Sequence, residues 1–344
     1  MLETIFLGTY TKRESKGIYQ IALNTETKTL ENLTLAAETT GPTYLTTAMN
    51  NTYLYAVLGG DGNGGIAAYK KKDSGNYVQT DTALDEGSGP CYVAYDTERG
   101  FVYTANYHKG QVAVYEAGAD GAIELMDIAQ HTGSSVHKNQ DQPHAHYFDL
   151  TPDKKYVLAC DLGNDTLYTY SVNQEGKLTK VTTTDVAPGT GPRHLVFAPN
   201  ENKVYLFGEL SSEVIALDYD NESGSLEAFQ TVSTIPADHT SFNGGAAIRI
   251  SDDGKFLYAS NRGHDSIAVF AVSEEDGTLT LIEYVPTEGA IPRDFDLNST
   301  DQFLVVAHQD SDNLTLFERD SDTGKLKLLE KDVYAPEAVC VHFS

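Results

Sequence analysis

Arginine is scarce in this sequence, with seven residues in 344, and three of the seven fall in short recurring segments: Gly191-Pro192-Arg193-His194, Asn261-Arg262-Gly263 and Ile291-Pro292-Arg293. A guanidinium suits a carboxylate or a phosphate because its planar fork donates parallel hydrogen bonds and keeps its charge at any physiological pH. Gathered at one place in a chain of net charge −26, three of them would form an anion-binding pocket. Such arginines can also do no more than tie elements together, by pairing with Glu209, Glu337 or Asp294. Their chemistry therefore depends on where the chain places them.

Two neighbours in the same pattern, His146 and Glu209, could move a proton, one as an imidazole near neutrality and the other as a carboxylate beside arginine. His144 stands two residues from His146, and on a regular strand both would face one side. That spacing could chelate a metal with Asp161 as the best third ligand, but the sequence fixes no third ligand, so a hydrogen-bonded histidine pair is expected. No metal and no other cofactor is called for. His194 alternates with Arg193 and is expected to be a core histidine with its hydrogen bonds satisfied.

The elements that must position these groups come from an internal repeat. Gly191-Pro192-Arg193-His194-Leu195-Val196-Phe197 followed by Lys203-Val204-Tyr205-Leu206 matches Gly89-Pro90-Cys91-Tyr92-Val93-Ala94-Tyr95 followed by Phe101-Val102-Tyr103-Thr104. Related openings at Pro42, Ala145, Gly245, Pro292 and Pro336 make seven units, with steps of 48, 55, 47, 53, 47 and 44 residues. A period of about 40 to 50 residues holding four short strands marks a propeller blade. Turns such as Asp276-Gly277-Thr278-Leu279 and Thr323-Gly324-Lys325-Leu326 recur before the fourth strand, where glycine accepts the positive φ of a tight hairpin. No stretch keeps a helical period. The seventh unit has only its first strand, and residues 3–9, 17–23 and 30–36 supply three strands that lack one. An all-β, seven-bladed β-propeller is expected over residues 1–344 as a single domain, its ring closed by pairing the C-terminal strand with the N-terminal strands.

In a blade the start of strand one and the end of strand two reach the same mouth of the central channel. The first slot holds Thr43, Cys91, His146, Arg193, Ala246, Arg293 and Glu337. The second holds Gly59, Tyr107, Leu162, Glu209, Arg262 and Gln309, preceded by a slot with Asn106, Asp161 and Asn261.

The balance of 24 basic and 50 acidic residues disfavours nucleic acid and anionic lipid as partners. No apolar run approaches the roughly 20 residues of a membrane helix. The first residues show no basic then apolar leader, and a cytoplasmic protein, monomer or homodimer, is expected. Cys91, Cys160 and Cys340 read as reduced, packed thiols. Gly60-Asp61-Gly62-Asn63-Gly64-Gly65 fits a dinucleotide fingerprint in letters only, since the repeat places a strand after it, so a hairpin is expected. The insertion from His131 to Gln142 reads as a mobile loop near the mouth, a candidate lid.

Gly191-Pro192-Arg193-His194, Gly208-Glu209-Leu210, Ser260-Asn261-Arg262-Gly263-His264-Asp265-Ser266-Ile267 and Pro292-Arg293-Asp294-Phe295 together resemble the motifs of the seven-bladed propeller lactonase family. That family includes bacterial 6-phosphogluconolactonase and, more distantly, carboxymuconate-lactonizing enzymes. The resemblance spans the chain and implies that His146, Arg193, Glu209 and Arg262 are the site, with His144 as the alternative to His146.

The leading expectation is hydrolysis of a sugar lactone, 6-phosphogluconolactone in the pentose phosphate route, without a metal. His146 or Glu209 would be the base, Arg193 the oxyanion stabiliser, Arg262 and Arg293 a phosphate clamp, and Asn106 and Asn261 partners for sugar hydroxyls, with His144 also on the substrate. Two alternatives are a muconate-type cycloisomerase and a non-catalytic propeller that binds a small anion or a protein.

Overall fold

The computed structural model describes residues 1–199 and 202–344. Their strands form seven four-stranded antiparallel sheets, and no helix occurs among the described residues. Blade one begins at Leu45–Ala48 and blade two at Tyr92–Asp96; Ala145–Leu150 opens blade three and Pro192–Phe197 blade four. Gly244–Ile250 opens blade five and Pro292–Leu297 blade six. Blade seven joins Ala338–Phe343 to Leu2–Thr9, Gly17–Asn24 and Thr29–Glu38, with Ile5 opposite Phe343 and Leu7 opposite Val341. The seven units and their closure are thus as the repeat predicts.

Second strands are the most deeply buried, because both of their faces pack against adjacent blades. Tyr55, Tyr103, Tyr205 and Tyr258 recur there with no side-chain exposure. A buried phenol needs a partner for its hydroxyl. Tyr205 donates to Gly277 O at 2.8 Å and Tyr258 to Gly324 O at 2.9 Å, each reaching the last turn of the following blade. The repeated Asp-Gly and Thr-Gly turns of the sequence therefore serve as docking points between blades. First strands line the axis, and their leading ends gather at one mouth.

Candidate active site

Three of the candidate side chains share one backbone device. In blade three Ala145 pairs with Asp161 and Tyr147 with Cys160, so His146 is skipped by the ladder. Arg193 is skipped between Pro192 and His194 in blade four, and Arg293 between Pro292 and Asp294 in blade six. A bulge inserts one residue and re-aims its side chain. Glu209 and Arg262 come to the same mouth from the ends of the second strands of blades four and five. A cavity of about 620 Å³ opens there, with His146, Glu209, Arg262 and Arg293 in its lining. Arg193 is 3% exposed and lies beneath them, facing a narrow space shared with His194 and Tyr44.

Glu209 holds two of the arginines. Its Oε2 accepts from Arg193 Nε at 3.1 Å and pairs with Arg262 Nη2 at 2.8 Å. Arg193 Nη1 also donates to Ala246 O, and Arg262 Nη2 to Gly245 O, both at 2.7 Å. Burial alone would raise the Glu209 carboxyl, but Arg262, Arg193 and Arg293 together outweigh it and hold the group below its usual value. Burial and the two neighbouring guanidiniums bring Arg193 down to about 10, which still leaves it charged at neutral pH. Arg293 differs from both. Its guanidinium lies 5.6 Å from the Tyr10 ring centroid and 3.4 Å from Gln309 Oε1, with no carboxylate partner among the described residues.

His146 is 4% exposed, and its Nδ1 has no hydrogen-bond partner among the described residues. Burial, then Arg193 and Arg293, push its pKa well below 6.5, so the imidazole is neutral at physiological pH. Below it the channel is closed by an aromatic plug. Tyr92 lies 4.7 Å from Tyr44 and 4.8 Å from Tyr147, and the His194 ring meets all three. His194 is a core residue, as expected, but its Nε2 finds no partner.

Other candidates lie elsewhere. The bulge at His146 breaks the alternation that would pair it with His144, so the expected histidine pair does not form. His144 instead stacks on Tyr107 at 4.1 Å and shares a 2.8 Å hydrogen bond with Tyr107 O, outside the cavity lining. Asn106 donates to Ser88 O and accepts from Lys109 N. Asn261, with no exposure, donates to Thr234 O and accepts from Thr234 Oγ1. Both amides are consumed within the scaffold, so neither faces a sugar hydroxyl. Asp161 is occupied by His131 at 2.6 Å and by the His144 and Gly163 amides. Glu337 accepts from the amides of Lys12, Arg13 and Ser15, and Asp294 pairs with Arg249. Among the described residues no three His, Cys, Asp or Glu side chains converge as metal ligands.

The 131–142 insertion is not a lid in this structure. His131 is buried, hydrogen-bonded to Asp161 and stacked on Tyr168 at 3.8 Å, Gln140 donates to Leu162 O at 2.8 Å, and no residue of the segment lines the cavity. The fingerprint-like glycines form a hairpin, as expected, with Asp61 and Gly62 both at positive φ.

The cavity also takes in groups to which sequence reasoning gave no role: Tyr107, Cys91, Tyr10 and a run of glycines. Burial first, then Glu209, raise the Tyr107 phenol to about 12, and burial raises the Cys91 thiol to about 11, so both are neutral. Tyr107 and Cys91 occupy the two mouth slots of the repeat, which was the signal available for them.

Residues 4–343 match the family model described as "Lactonase, 7-bladed beta-propeller". The 6-phosphogluconolactonase of Bacillus subtilis strain 168 is 47% identical over 340 residues, covering 98% of this chain and 97% of that protein. A solved structure of a protein from Lactobacillus plantarum superposes with a TM-score of 0.97 at 49% identity and full coverage of both chains. A periplasmic gluconolactonase of Pseudomonas aeruginosa superposes with a TM-score of 0.93 at 30% identity, covering 100% of this chain and 99% of that one. With its ring of seven blades, its arginine-rich mouth and these relatives, the chain belongs to the seven-bladed β-propeller lactonase family and is a lactone hydrolase.

Proposed function

We propose that this lactonase opens 6-phosphogluconolactone to 6-phosphogluconate, using the mouth described above. The observation that carries the proposal is the mouth itself: a neutral, unpaired histidine beside three guanidiniums and one carboxylate. The name of the Bacillus subtilis relative supports the same substrate. His146 is the base, because its neutral imidazole lines the cavity whereas Glu209 is ionised and occupied by Arg193 and Arg262. Water loses a proton to His146 as its oxygen attacks the lactone carbonyl. The ring C–O bond then breaks, and the proton passes to the departing ring oxygen.

Glu209 holds Arg262 at the cavity wall and Arg193 beneath it, so Arg262 meets the developing oxyanion without reorganisation and Arg193 adds its charge from below. Arg293 has no carboxylate partner among the described residues and receives the substrate's phosphate. All of these groups come from one ring, so the reaction requires no second chain. A phosphate ester does not cross a bilayer unaided, which supports a cytoplasmic site of action and a place in the pentose phosphate route.

The test is the hydrolysis rate of lactone generated in place by glucose 6-phosphate dehydrogenase, with wild type and His146→Gln compared in EDTA. Acceleration by wild type that EDTA leaves unchanged, with its loss in the variant, is the expected result. No acceleration over the spontaneous rate, or turnover of a muconate instead, would reject the proposal.

A further inference from the structure

The cavity is lopsided. Blades three to six contribute histidine, glutamate and arginine, whereas blade one and the connection that follows it contribute Gly41, Gly59, Gly60, Gly62, Gly87 and Gly89. Most of these have a local reason to be glycine. Gly41, Gly62 and Gly87 take positive φ, a Cβ on Gly89 would meet Leu58 O at 2.3 Å, and one on Gly60 would press a Thr40 methyl at 3.0 Å. Gly59 has no such reason. Its φ lies outside the left-handed region, and a Cβ there would find its nearest neighbour, Gly89 N, at 3.9 Å. The backbone and the packing would both accept a side chain.

The repeat shows what that side chain would do. Gly59 occupies the slot that holds Tyr107, Glu209 and Arg262 in blades two, four and five, and all three point into the cavity. Around a ring of seven, blade one stands across from blade four, which carries Glu209 and Arg193. A substrate whose carbonyl lies between His146 and Glu209 therefore extends toward blades six, seven and one, the side that holds Arg293. Two further observations show that the cavity is shaped for an occupant. His146 lines it while 4% exposed, with no partner for its Nδ1 among the described residues, and Arg293 has no carboxylate partner among the described residues.

We infer that Gly59 is a specificity-determining position, where the missing side chain leaves room for the phosphorylated arm of the sugar lactone. The inference rests on the lactonase reading above and adds the part of the substrate that each side of the mouth receives. A bulky residue in this slot would exclude the arm while leaving the carbonyl end of the cavity open.

Gly59→Ala and Gly59→Leu test it, with thermal melting to establish that each variant folds. The readout is the ratio of kcat/KM for 6-phosphogluconolactone to that for unphosphorylated glucono-δ-lactone. In Gly59→Leu the ratio is expected to fall roughly tenfold or more through KM, with a smaller fall in Gly59→Ala. An equal loss on both lactones, or no change in the ratio, overturns the inference. Calorimetric binding of 6-phosphogluconate and gluconate is read in parallel. Should wild type turn over neither lactone, the proposed function fails. The inference then still stands if wild type prefers the phosphorylated acid and Gly59→Leu loses that preference. Equal binding of both acids by wild type overturns it.

Discussion

His146 and His194 stand edge to face with ring centroids 5.1 Å apart, and each buries a ring nitrogen that has no partner. Burial first, and Arg193 next, hold both well below the ordinary value of 6.5. The base therefore stays ready as the medium is acidified, and kcat/KM is expected to remain level from neutral pH down through 6.5 and to drop only at more acidic pH. A pH–rate profile checks this, and a fall centred on the ordinary histidine value would remove His146 from the role. The effect on stability has a definite sign. Below about 6.5 the unfolded chain binds protons that the folded histidines refuse, so stability declines as pH falls.

Glu209 neutralises two guanidiniums at once, the buried one of Arg193 and the partly buried one of Arg262. In Glu209→Gln the arginines keep their burial and lose their counter-charge, and removal of one partner from such a network costs about 3 kcal/mol. Urea denaturation should register that loss, and kcat should fall by roughly two orders of magnitude as the arginines leave their positions. A variant as stable as wild type would mean that the pairing with Arg193 and Arg262 is worth nothing to the fold.

Arg293 is the mouth guanidinium that has no carboxylate partner among the described residues. Arg293→Ala is expected to raise KM for the phosphorylated lactone by roughly tenfold, the value of one charge-assisted hydrogen bond, with a much smaller change in kcat. Steady-state kinetics on phosphorylated and unphosphorylated lactone separate this from a general loss. An unchanged KM would assign the phosphate to another group.

At the far end of the channel Tyr92 donates to Asp149 Oδ2 at 2.9 Å, and burial raises Asp149 to about 6 from an ordinary 3.8. The folded form binds this proton more tightly than the unfolded form, so the contribution to stability is present in acid and lost as pH rises through about 6. Asp149→Asn removes that loss. Melting curves should show the variant gaining on wild type between about pH 4 and about pH 6 and holding level above about pH 7, whereas a constant difference throughout would contradict the raised value.

The seven-fold repeat was legible because a propeller writes its architecture locally, in Gly-Pro openings such as Gly191-Pro192 and in turns such as Asp276-Gly277. The two mouth slots then located His146, Arg193, Glu209, Arg262 and Arg293 at one end of the axis. Alternation explains the misplacement of Asn106 and Asn261. Each precedes a residue that faces the mouth, so each faces into its blade and caps a turn or bonds to a neighbouring main chain. His144 was misjudged for the converse reason, since a bulge suspends alternation, and nothing in Ala145-His146-Tyr147 announces one. The 131–142 insertion looked free because its anchor, the buried pair of His131 and Asp161, joins residues that are distant in sequence.

Because His146, Arg193 and Arg293 are aimed by a shared kink of the main chain, blades three, four and six act as interchangeable sockets. The corresponding positions at Thr43 and Cys91 carry small groups ahead of ladders that have no bulge, and in blade five the irregularity takes in Ala247 as well as Ala246. New chemistry at this mouth would need only a change of side chain, with no rebuilding of the backbone that holds it. Single-residue exchange at those three kinks thus alters what the mouth presents, within the limit set by Glu209, which ties blade four to blade five.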